Sequence, residues 1–274
     1  MISIAIVGCG AIGTTLGKAI CGGKVGAAEL LWVYDIVKEK AILLSKKLEP
    51  APKVAKSIGE ICADKNVRLV IEAASQLAVE QYSEEILKSG KDLMVMSVGA
   101  LADEKLLRHL LSLAEKRGRK IFVPSGAIVG IDGAKAAAIG KIKEVILTTR
   151  KPPGAFASTD YVKRMKIELS RIKRMRVIFD GLASEAVKAF PASVNVAATV
   201  ALATIGAEKT RVRIIADPSI KRNIHEIKIV GDCGEITTVA SNLPFPESPR
   251  TSYLAALSAI RMLKNMTEPL QLGS

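Results

Sequence analysis

The feature that most constrains the fold is a glycine-rich turn between an apolar strand and a helix near the amino terminus. The apolar run Ile2–Val7 is followed directly by Gly8-Cys9-Gly10-Ala11-Ile12-Gly13, which has the spacing G-x-G-x-x-G, and then by a helical pattern that continues to about Gly22. A second strand pattern ends in an acid, Asp35, which lies 22 residues after Gly13. The spacing alone is a weak signal, but this order of elements is typical of a dinucleotide-binding unit.

Each position of the glycine-rich turn has a predicted role in holding a dinucleotide. Gly8 permits the tight turn, Gly10 lets the backbone approach a pyrophosphate, and Gly13 allows the helix to pack closely on the strand. The N–H groups at the start of the helix, those of Ala11 and Ile12 included, and the positive end of the helix dipole would hold the phosphate charge.

The acid at the end of the second strand indicates which dinucleotide is bound. Asp35 is expected to accept hydrogen bonds from the ribose hydroxyls of the adenosine half, which favours NAD over NADP. Lys38 and Lys40 lie just beyond it, where a cation could accommodate a 2′-phosphate, or they are solvated lysines of a helix. We therefore expect the cofactor to be NAD or NADP.

The alternation of short apolar strands with amphipathic helices over the first half predicts an α/β fold. VRLVIEAA and DLMVMSV are continuous apolar runs, as expected for parallel strands covered by helices on both faces. From about Lys143 the strands include alternating ones, such as Arg211–Ala216 and residues 223–230. The sequence predicts an N-terminal Rossmann doubly wound parallel sheet followed by a second α/β domain with a mixed or antiparallel sheet.

Three segments follow from this pattern. Residues 1–124 are predicted to form the dinucleotide-binding domain and residues 125–244 the second domain. Residues 245–274 contain a last helix that is expected to return to the first domain, with Leu254, Leu257, Ile260 and Leu263 on one face. The uncharged residues 189–207 are interpreted as a buried, alanine-rich helix and not as a membrane span, because polar residues and a proline interrupt them.

The charge and the aromatic content of the sequence limit the classes of partner that the chain is expected to bind. Lys and Arg number 40 against 27 Asp and Glu, a formal net charge of +13 that makes anionic partners plausible. Residues 163–176 hold seven of these cations, and Met165, Leu169 and Ile172 could form an apolar stripe among them. We favour an amphipathic helix with a solvated basic face over a membrane or DNA contact. Aromatic residues at 4% and the lack of a nucleic-acid-binding motif argue against a nucleic-acid partner.

The four scattered cysteines suggest neither a metal site nor disulfides and fit a cytoplasmic protein.

Two histidines are the candidates for acid–base chemistry near neutral pH. His109 falls on the polar side of a predicted helix and is interpreted as solvated. His225 shares a strand face with Ile227 and Ile229, so it is either a hydrogen-bonded core residue or a catalytic group.

Other polar positions have two open interpretations. Ser97 and Gly99 follow one predicted strand at its carboxyl end and Ala127 follows another, where α/β sheets bind ligands; ordinary small-residue turns would look the same. Asn195 lies in the uncharged segment and needs a partner, either the nicotinamide carboxamide or a helix end.

The chain resembles the L-aspartate dehydrogenase family over nearly its whole length. The residues that carry the resemblance are VGCGAIG, MSVGAL, PSGAIVGIDG, TRKPP, FPASVNVAATVALA and ADPSIKRNIHEI. The resemblance implies that Ala127 and Asn195 bind NAD(P), that His225 is the active-site histidine, and that the second domain carries the substrate site and much of a homodimer contact.

By this resemblance, the expected activity is NAD(P)-dependent oxidative deamination of L-aspartate to iminoaspartate. Iminoaspartate would hydrolyse to oxaloacetate and ammonia or pass on toward quinolinate for NAD biosynthesis. The alternatives are a Rossmann dehydrogenase or reductase acting on another small amino acid or semialdehyde and, from a different class, a nucleotide-sensing protein that binds nucleic acid.

Overall fold

The computed structural model describes residues 1–190, 195–245 and 248–273, which form two compact units. The first unit comprises Met1–Pro124 and Ala256–Leu272, and the second comprises Ser125–Ala255 and the carboxyl terminus. Among the described residues, no helix combines the length and the apolar character that crossing a membrane requires.

The first unit contains a six-stranded parallel sheet with the strand order β3-β2-β1-β4-β5-β6. Its strands are β1 (Ile2–Val7), β2 (Ala28–Tyr34), β3 (Lys53–Val54), β4 (Leu69–Glu72), β5 (Asp92–Val95) and β6 (Ile121–Phe122). Its helices are α1 (Ala11–Cys21), α2 (Lys38–Lys46), α3 (Ile58–Ala63), α4 (Gln76–Lys88) and α5 (Glu104–Arg117). This strand order is that of the doubly wound dinucleotide-binding fold, and the switch point lies between β1 and β4.

Both faces of this sheet pack against other parts of the first unit, as the side chains of strand β1 show. Ile4 and Ile6 point to one face and pack in one apolar cluster, while Ala5 and Val7 point to the other face and pack in a second cluster. All four side chains are buried. The continuous apolar runs of the sequence therefore reflect burial on two sides, and the predicted fold class is confirmed.

The second unit contains a five-stranded mixed sheet with the order β11-β10-β7-β9-β8. Its strands are β7 (Ile142–Lys151), β8 (Arg176–Leu182), β9 (Arg211–Ala216), β10 (Asn223–Gly231) and β11 (Gly234–Asn242), and only β7 and β9 pair in parallel. Its helices are α6 (Ile131–Ala137), α7 (Asp160–Arg164), α8 (Ala183–Ala189) and α9 (Asn195–Ala203). A small hairpin of β12 (Pro244–Phe245) and β13 (Ser248–Ser252) precedes the last helix, α10 (Tyr253–Asn265).

The predicted single helix over residues 189–207 is wrong. Helix α8 ends at Ala189 and α9 begins at Asn195, while residues 191–194 of that prediction lie outside the described residues. Phe190, the residue after α8, is not helical, as expected for a residue that precedes a proline in the sequence. Burial of the segment is confirmed for α9, in which five consecutive residues from Ala197 to Ala201 are buried.

The predicted amphipathic helix over the basic residues 163–176 is also wrong. Helix α7 ends at Arg164, Lys166 adopts a positive φ of 51°, and only a single 3-10 turn, Leu169–Arg171, follows before β8. The apolar anchors are spaced irregularly: Ile172 is buried, whereas Met165 of the predicted stripe is exposed. The cations of this segment are exposed to solvent, as predicted.

The stripe predicted for the last helix is only partly correct. The buried residues of α10 are Ala256, Ala259 and Leu263, whereas Leu257 is 40% exposed. Small alanines allow close packing, so the buried face is centred on them and not on the leucines.

Candidate active site

The glycine-rich turn of the first unit lies between β1 and α1 at the carboxyl edge of the sheet. Gly8 has a φ of +99°, and a Cβ there would lie 2.6 Å from the backbone of Ala73. A Cβ on Gly13 would lie 1.9 Å from the carbonyl oxygen of Gly8. Neither position can carry a side chain without moving the backbone, which agrees with the roles predicted from the spacing.

The turn also leaves a space in front of the helix. A Cβ on Gly10 would meet no described atom within 4 Å. The first turn of α1 is formed by the uncharged residues Ala11, Ile12 and Gly13, whose N–H groups precede the first intrahelical hydrogen bond, from Thr14 N to Gly10 O. An open cradle lined with N–H donors at the positive end of a helix fits a pyrophosphate.

Asp35 is fixed beside this turn by two backbone hydrogen bonds. Its Oδ2 accepts from Cys9 N at 2.8 Å and its Oδ1 accepts from Val37 N at 2.9 Å. Each carboxylate oxygen has a second lone pair, so the same side chain can accept a ribose hydroxyl. Lys38 and Lys40 are both exposed on the first turn of α2.

A buried carboxylate that sequence reasoning missed holds the ends of β4 and β5 together. Glu72 is 1% exposed, and its carboxylate accepts hydrogen bonds from the N–H groups of Ala74, Ser75 and Ser97 and from Ser97 Oγ, at 2.8–3.0 Å. Burial raises the pKa of Glu72, and the four hydrogen bonds act in the opposite direction. Gly99 is buried in the 3-10 turn Val98–Ala102 that follows Ser97. The sequence feature that could have identified Glu72 is an acidic residue at the end of an apolar strand pattern.

In the second unit, His225 lies on the buried face of β10 opposite Thr149 of β7. The imidazole is 3% exposed, and its Nδ1 lies 3.0 Å from Thr149 Oγ1. With Nδ1 occupied by this hydrogen bond, Nε2 is the nitrogen through which the ring can act on a ligand.

A buried lysine accompanies this pair. Lys151 is 4% exposed and lies two residues after Thr149, on the same face of β7. Burial lowers the pKa of Lys151 to about 8. Burial of the imidazole, and secondarily the charge of Lys151, lower the pKa of His225 to about 3, so the ring is neutral at pH 7.

Two buried asparagines extend the polar group toward β11. Asn242 Nδ2 donates to the backbone oxygen of Ala127 at 2.8 Å, and Asn223 pairs in register with Asn242. Asn223 Nδ2 is buried and has no hydrogen-bond partner among the described residues. A buried donor of this kind is expected where a ligand supplies the acceptor.

The predicted site residues therefore fall into two groups, one in each unit. The first contains Gly8, Gly10, Ala11, Ile12, Gly13, Asp35, Ser97 and Gly99, and the second contains Ala127, Asn195 and His225. Asn195 begins α9 with an exposed side chain, whereas His225 is buried on the sheet. His109 is exposed beside Glu84, with its Nε2 3.0 Å from Glu84 Oε2, as expected for a solvated residue.

Sequence reasoning missed Thr149 and Lys151 because their relation to His225 depends on the pairing of β7 with β10. The sequence feature that could have identified them is the strand alternation in TTRK, which puts Thr149 and Lys151 on one face. Among the described residues, no cluster of three or more His, Cys, Asp or Glu side chains could hold a metal ion.

Two family models match the chain. The model described as "Homoserine dehydrogenase, NAD binding domain" matches residues 8–124, and the model described as "Aspartate dehydrogenase, C-terminal" matches residues 132–266. The boundary between the two matches falls between residues 124 and 132.

Curated relatives align with the chain from end to end. It is 48% identical over 274 residues to L-aspartate dehydrogenase of Methanosarcina barkeri and 49% identical to that of Methanosarcina acetivorans, with 100% of each chain covered. The L-aspartate dehydrogenase of Methanocaldococcus jannaschii is 42% identical with the same coverage.

Solved structures share the architecture. The crystal structure of aspartate dehydrogenase from Thermotoga maritima matches with a TM-score of 0.79 at 29% identity and covers 100% of both chains. A homoserine dehydrogenase from Thiobacillus denitrificans matches with a TM-score of 0.62 at 12% identity over 97% of this chain and 73% of its own, a likeness of fold alone.

Proposed function

Because the chain belongs to the aspartate dehydrogenase family, we propose that it catalyses the NAD(P)-dependent oxidative deamination of L-aspartate. The observation that carries this proposal is the identity of 48–49% to L-aspartate dehydrogenases over all 274 residues. The neutral, buried histidine on a polar sheet face supports it, since amine oxidation by hydride loss needs a proton acceptor.

The first unit is assigned to the dinucleotide. In this assignment the N–H groups of Ala11, Ile12 and Gly13 hold the pyrophosphate, Gly8 makes the tight turn, Gly10 leaves room for the pyrophosphate, and Asp35 accepts from the ribose. Ser97, Gly99, Ala127 and Asn195 remain proposed cofactor contacts. When bound, the nicotinamide supplies a hydride acceptor.

His225 is assigned to proton transfer. The amine of L-aspartate must be neutral before the Cα–H bond breaks with its electron pair, because the nitrogen lone pair forms the C=N bond of iminoaspartate. We assign to His225 the tautomer in which Nδ1–H donates to Thr149 Oγ1, so that Nε2 is the acceptor for a proton of the substrate ammonium or of the attacking water. Hydrolysis then gives oxaloacetate and ammonia.

The experiment is a turnover assay of the purified protein with L-aspartate and NAD or NADP. We expect NAD(P)H to form with equal amounts of oxaloacetate and ammonia, and a panel of small amino acids and semialdehydes to give slower turnover. Equal or faster turnover of another member of the panel would assign the protein to a different substrate.

We also propose an oligomeric state for the protein and a fate for iminoaspartate. We infer a homodimer from the family resemblance, and light scattering of the purified protein measures it. Delivery of iminoaspartate toward quinolinate is checked by adding a quinolinate-forming enzyme and measuring quinolinate against oxaloacetate.

A further inference from the structure

The buried face of the second sheet changes from apolar to polar along strands β7 and β10. The apolar half consists of Val145, Leu147, Ile227 and Ile229, and the polar half consists of Thr149, Lys151, Asn223 and His225. The two halves share one face because side chains alternate along each strand. Polar groups thus replace core residues at one end of an otherwise apolar layer.

A lysine is the costly member of the polar half. An ammonium is stable out of water only among polar groups, and Lys151, which is 4% exposed, lies on a face that provides them. Buried charges retained among polar groups are characteristic of ligand sites.

The position of this charge relates it to the proton acceptor. Lys151 follows Thr149 by two residues, about 7 Å along the strand, and Thr149 holds His225. Strands β7 and β10 are paired with Thr149 opposite His225, so Lys151 and His225 lie on the same buried face. The four-carbon stem of Lys151 lets the ammonium reach along this face toward a ligand at the imidazole.

Asn223 gives an independent indication of a hydrogen-bond acceptor at the same place. Its side chain lies on the same face as His225, is 3% exposed, and has an Nδ2 without a hydrogen-bond partner among the described residues. A carboxylate oxygen is an acceptor that both the amide and the ammonium can share.

We propose that Lys151 binds substrate directly, its ammonium pairing with a carboxylate of the L-aspartate held beside His225. The inference rests on the proposed function, because it takes a dicarboxylic amino acid as the ligand. It makes Lys151 the charge that selects an acidic substrate, with Asn223 as a second donor to the same group.

The test uses Lys151→Met, which removes the charge at similar length, and Lys151→Arg, which keeps it. We expect Lys151→Met to raise the KM for L-aspartate about 30-fold or more, and to weaken succinate binding to the NADH-saturated enzyme equally in calorimetry. The Kd of NADH should not change. Lys151→Arg should recover most of both affinities, and Lys143→Met, an exposed lysine of the same strand, should match wild type.

Two results would overturn the proposal. An unchanged KM and succinate Kd in folded Lys151→Met would remove Lys151 from the substrate site. A fall in kcat alone, not rescued by arginine, would assign proton transfer to Lys151 instead, because arginine stays protonated. Lys151→Gln, with a polar end, repeats the measurement if the methionine variant does not fold.

An error in the proposed function and an error in the assignment of Lys151 give different experimental results. If wild type does not oxidise L-aspartate, the proposed function is wrong, and succinate binding still tests for a carboxylate site at Lys151. If wild type oxidises L-aspartate and Lys151→Met binds succinate as wild type does, only the assignment of Lys151 is wrong.

Discussion

At the scale of single residues, His225 acquires its chemistry from the residues across and along the neighbouring strand. Thr149 fixes one ring nitrogen, and burial with the nearby Lys151 keeps the imidazole neutral at pH 7. A neutral ring held in one orientation presents a lone pair to a ligand, but the lowered pKa makes it a weak base until its surroundings change.

Replacement of His225 by alanine tests this role. We expect kcat with L-aspartate to fall about 100-fold to 10,000-fold, the usual contribution of a positioned acid–base group, while NADH binding is kept. Steady-state kinetics and fluorescence titration of NADH measure the two quantities. His109→Ala is the matched control, and equal turnover in the two variants would exclude His225 from catalysis.

Replacement of Asp35 by alanine tests the ribose assignment. We expect the Kd of NAD to rise about tenfold or more and that of NADP to rise less, because the carboxylate that accepts from the ribose is lost. Titration with both nucleotides measures the ratio, with Glu39→Ala on α2 as the control. Losses of equal size would show that Asp35 serves only the backbone N–H groups of Cys9 and Val37.

Residues whose roles depend on local spacing could be predicted from the sequence, and residues that act across strands could not. Gly8, Gly13 and Asp35 follow from a fixed order within about 30 residues. Thr149 lies 76 residues from His225, and only the register of β7 with β10 brings them together.

At the scale of elements, the carboxyl ends of β4 and β5 are joined by one side chain. Glu72 ends β4 and accepts hydrogen bonds from Ser97 beyond β5 and from the loop that begins at Ala73, against which Gly8 packs. The glycine-rich turn therefore rests on a loop whose conformation depends on this carboxylate.

Replacement of Glu72 by glutamine should destabilise this arrangement. The amide keeps the size but presents an NH2 group to N–H donors, so we expect the free energy of unfolding to fall by about 3 kcal/mol and NADH binding to weaken. Urea unfolding followed by circular dichroism measures the first effect. Glu80→Gln, exposed on α4, is the control, and unchanged stability and affinity would make the network dispensable.

Elements with a strong period could be predicted, and those set by tertiary contacts could not. Strand β1 and helix α1 match the predicted pattern because apolar periodicity and glycine placement agree. In residues 163–176 the helical pattern was weak, and Ile172 is instead buried from an irregular segment. Packing in the second unit overrides the local preference of that segment.

At the scale of the whole molecule, the chain leaves the first unit at Pro124 and rejoins it at Ala256. Helix α10 places Ala259 and Leu263 in the apolar cluster that also contains Ile4 and Leu16. The core of the dinucleotide-binding unit is therefore completed by residues near the carboxyl terminus.

Replacement of Leu263 by alanine tests this dependence. We expect the variant to lose about 2–5 kcal/mol of stability through a cavity in the first unit. Urea unfolding measures the loss of stability. When it is repeated with NADH present, the variant should need a higher NADH concentration than wild type to reach the same stability. Leu257→Ala, which is 40% exposed on the same helix, should cost far less. Equal losses would show that α10 does not complete the core.

The arrangement of Lys151 beside His225 also has a consequence for linked equilibria. The positive charge of Lys151 opposes protonation of the imidazole, and a carboxylate that pairs with Lys151 offsets that charge. Anion binding and proton uptake at His225 then strengthen each other by the same factor, as reciprocity of coupling free energies requires. The enzyme would hold a weak base while empty, and its acidic substrate would itself raise the basicity that its oxidation needs.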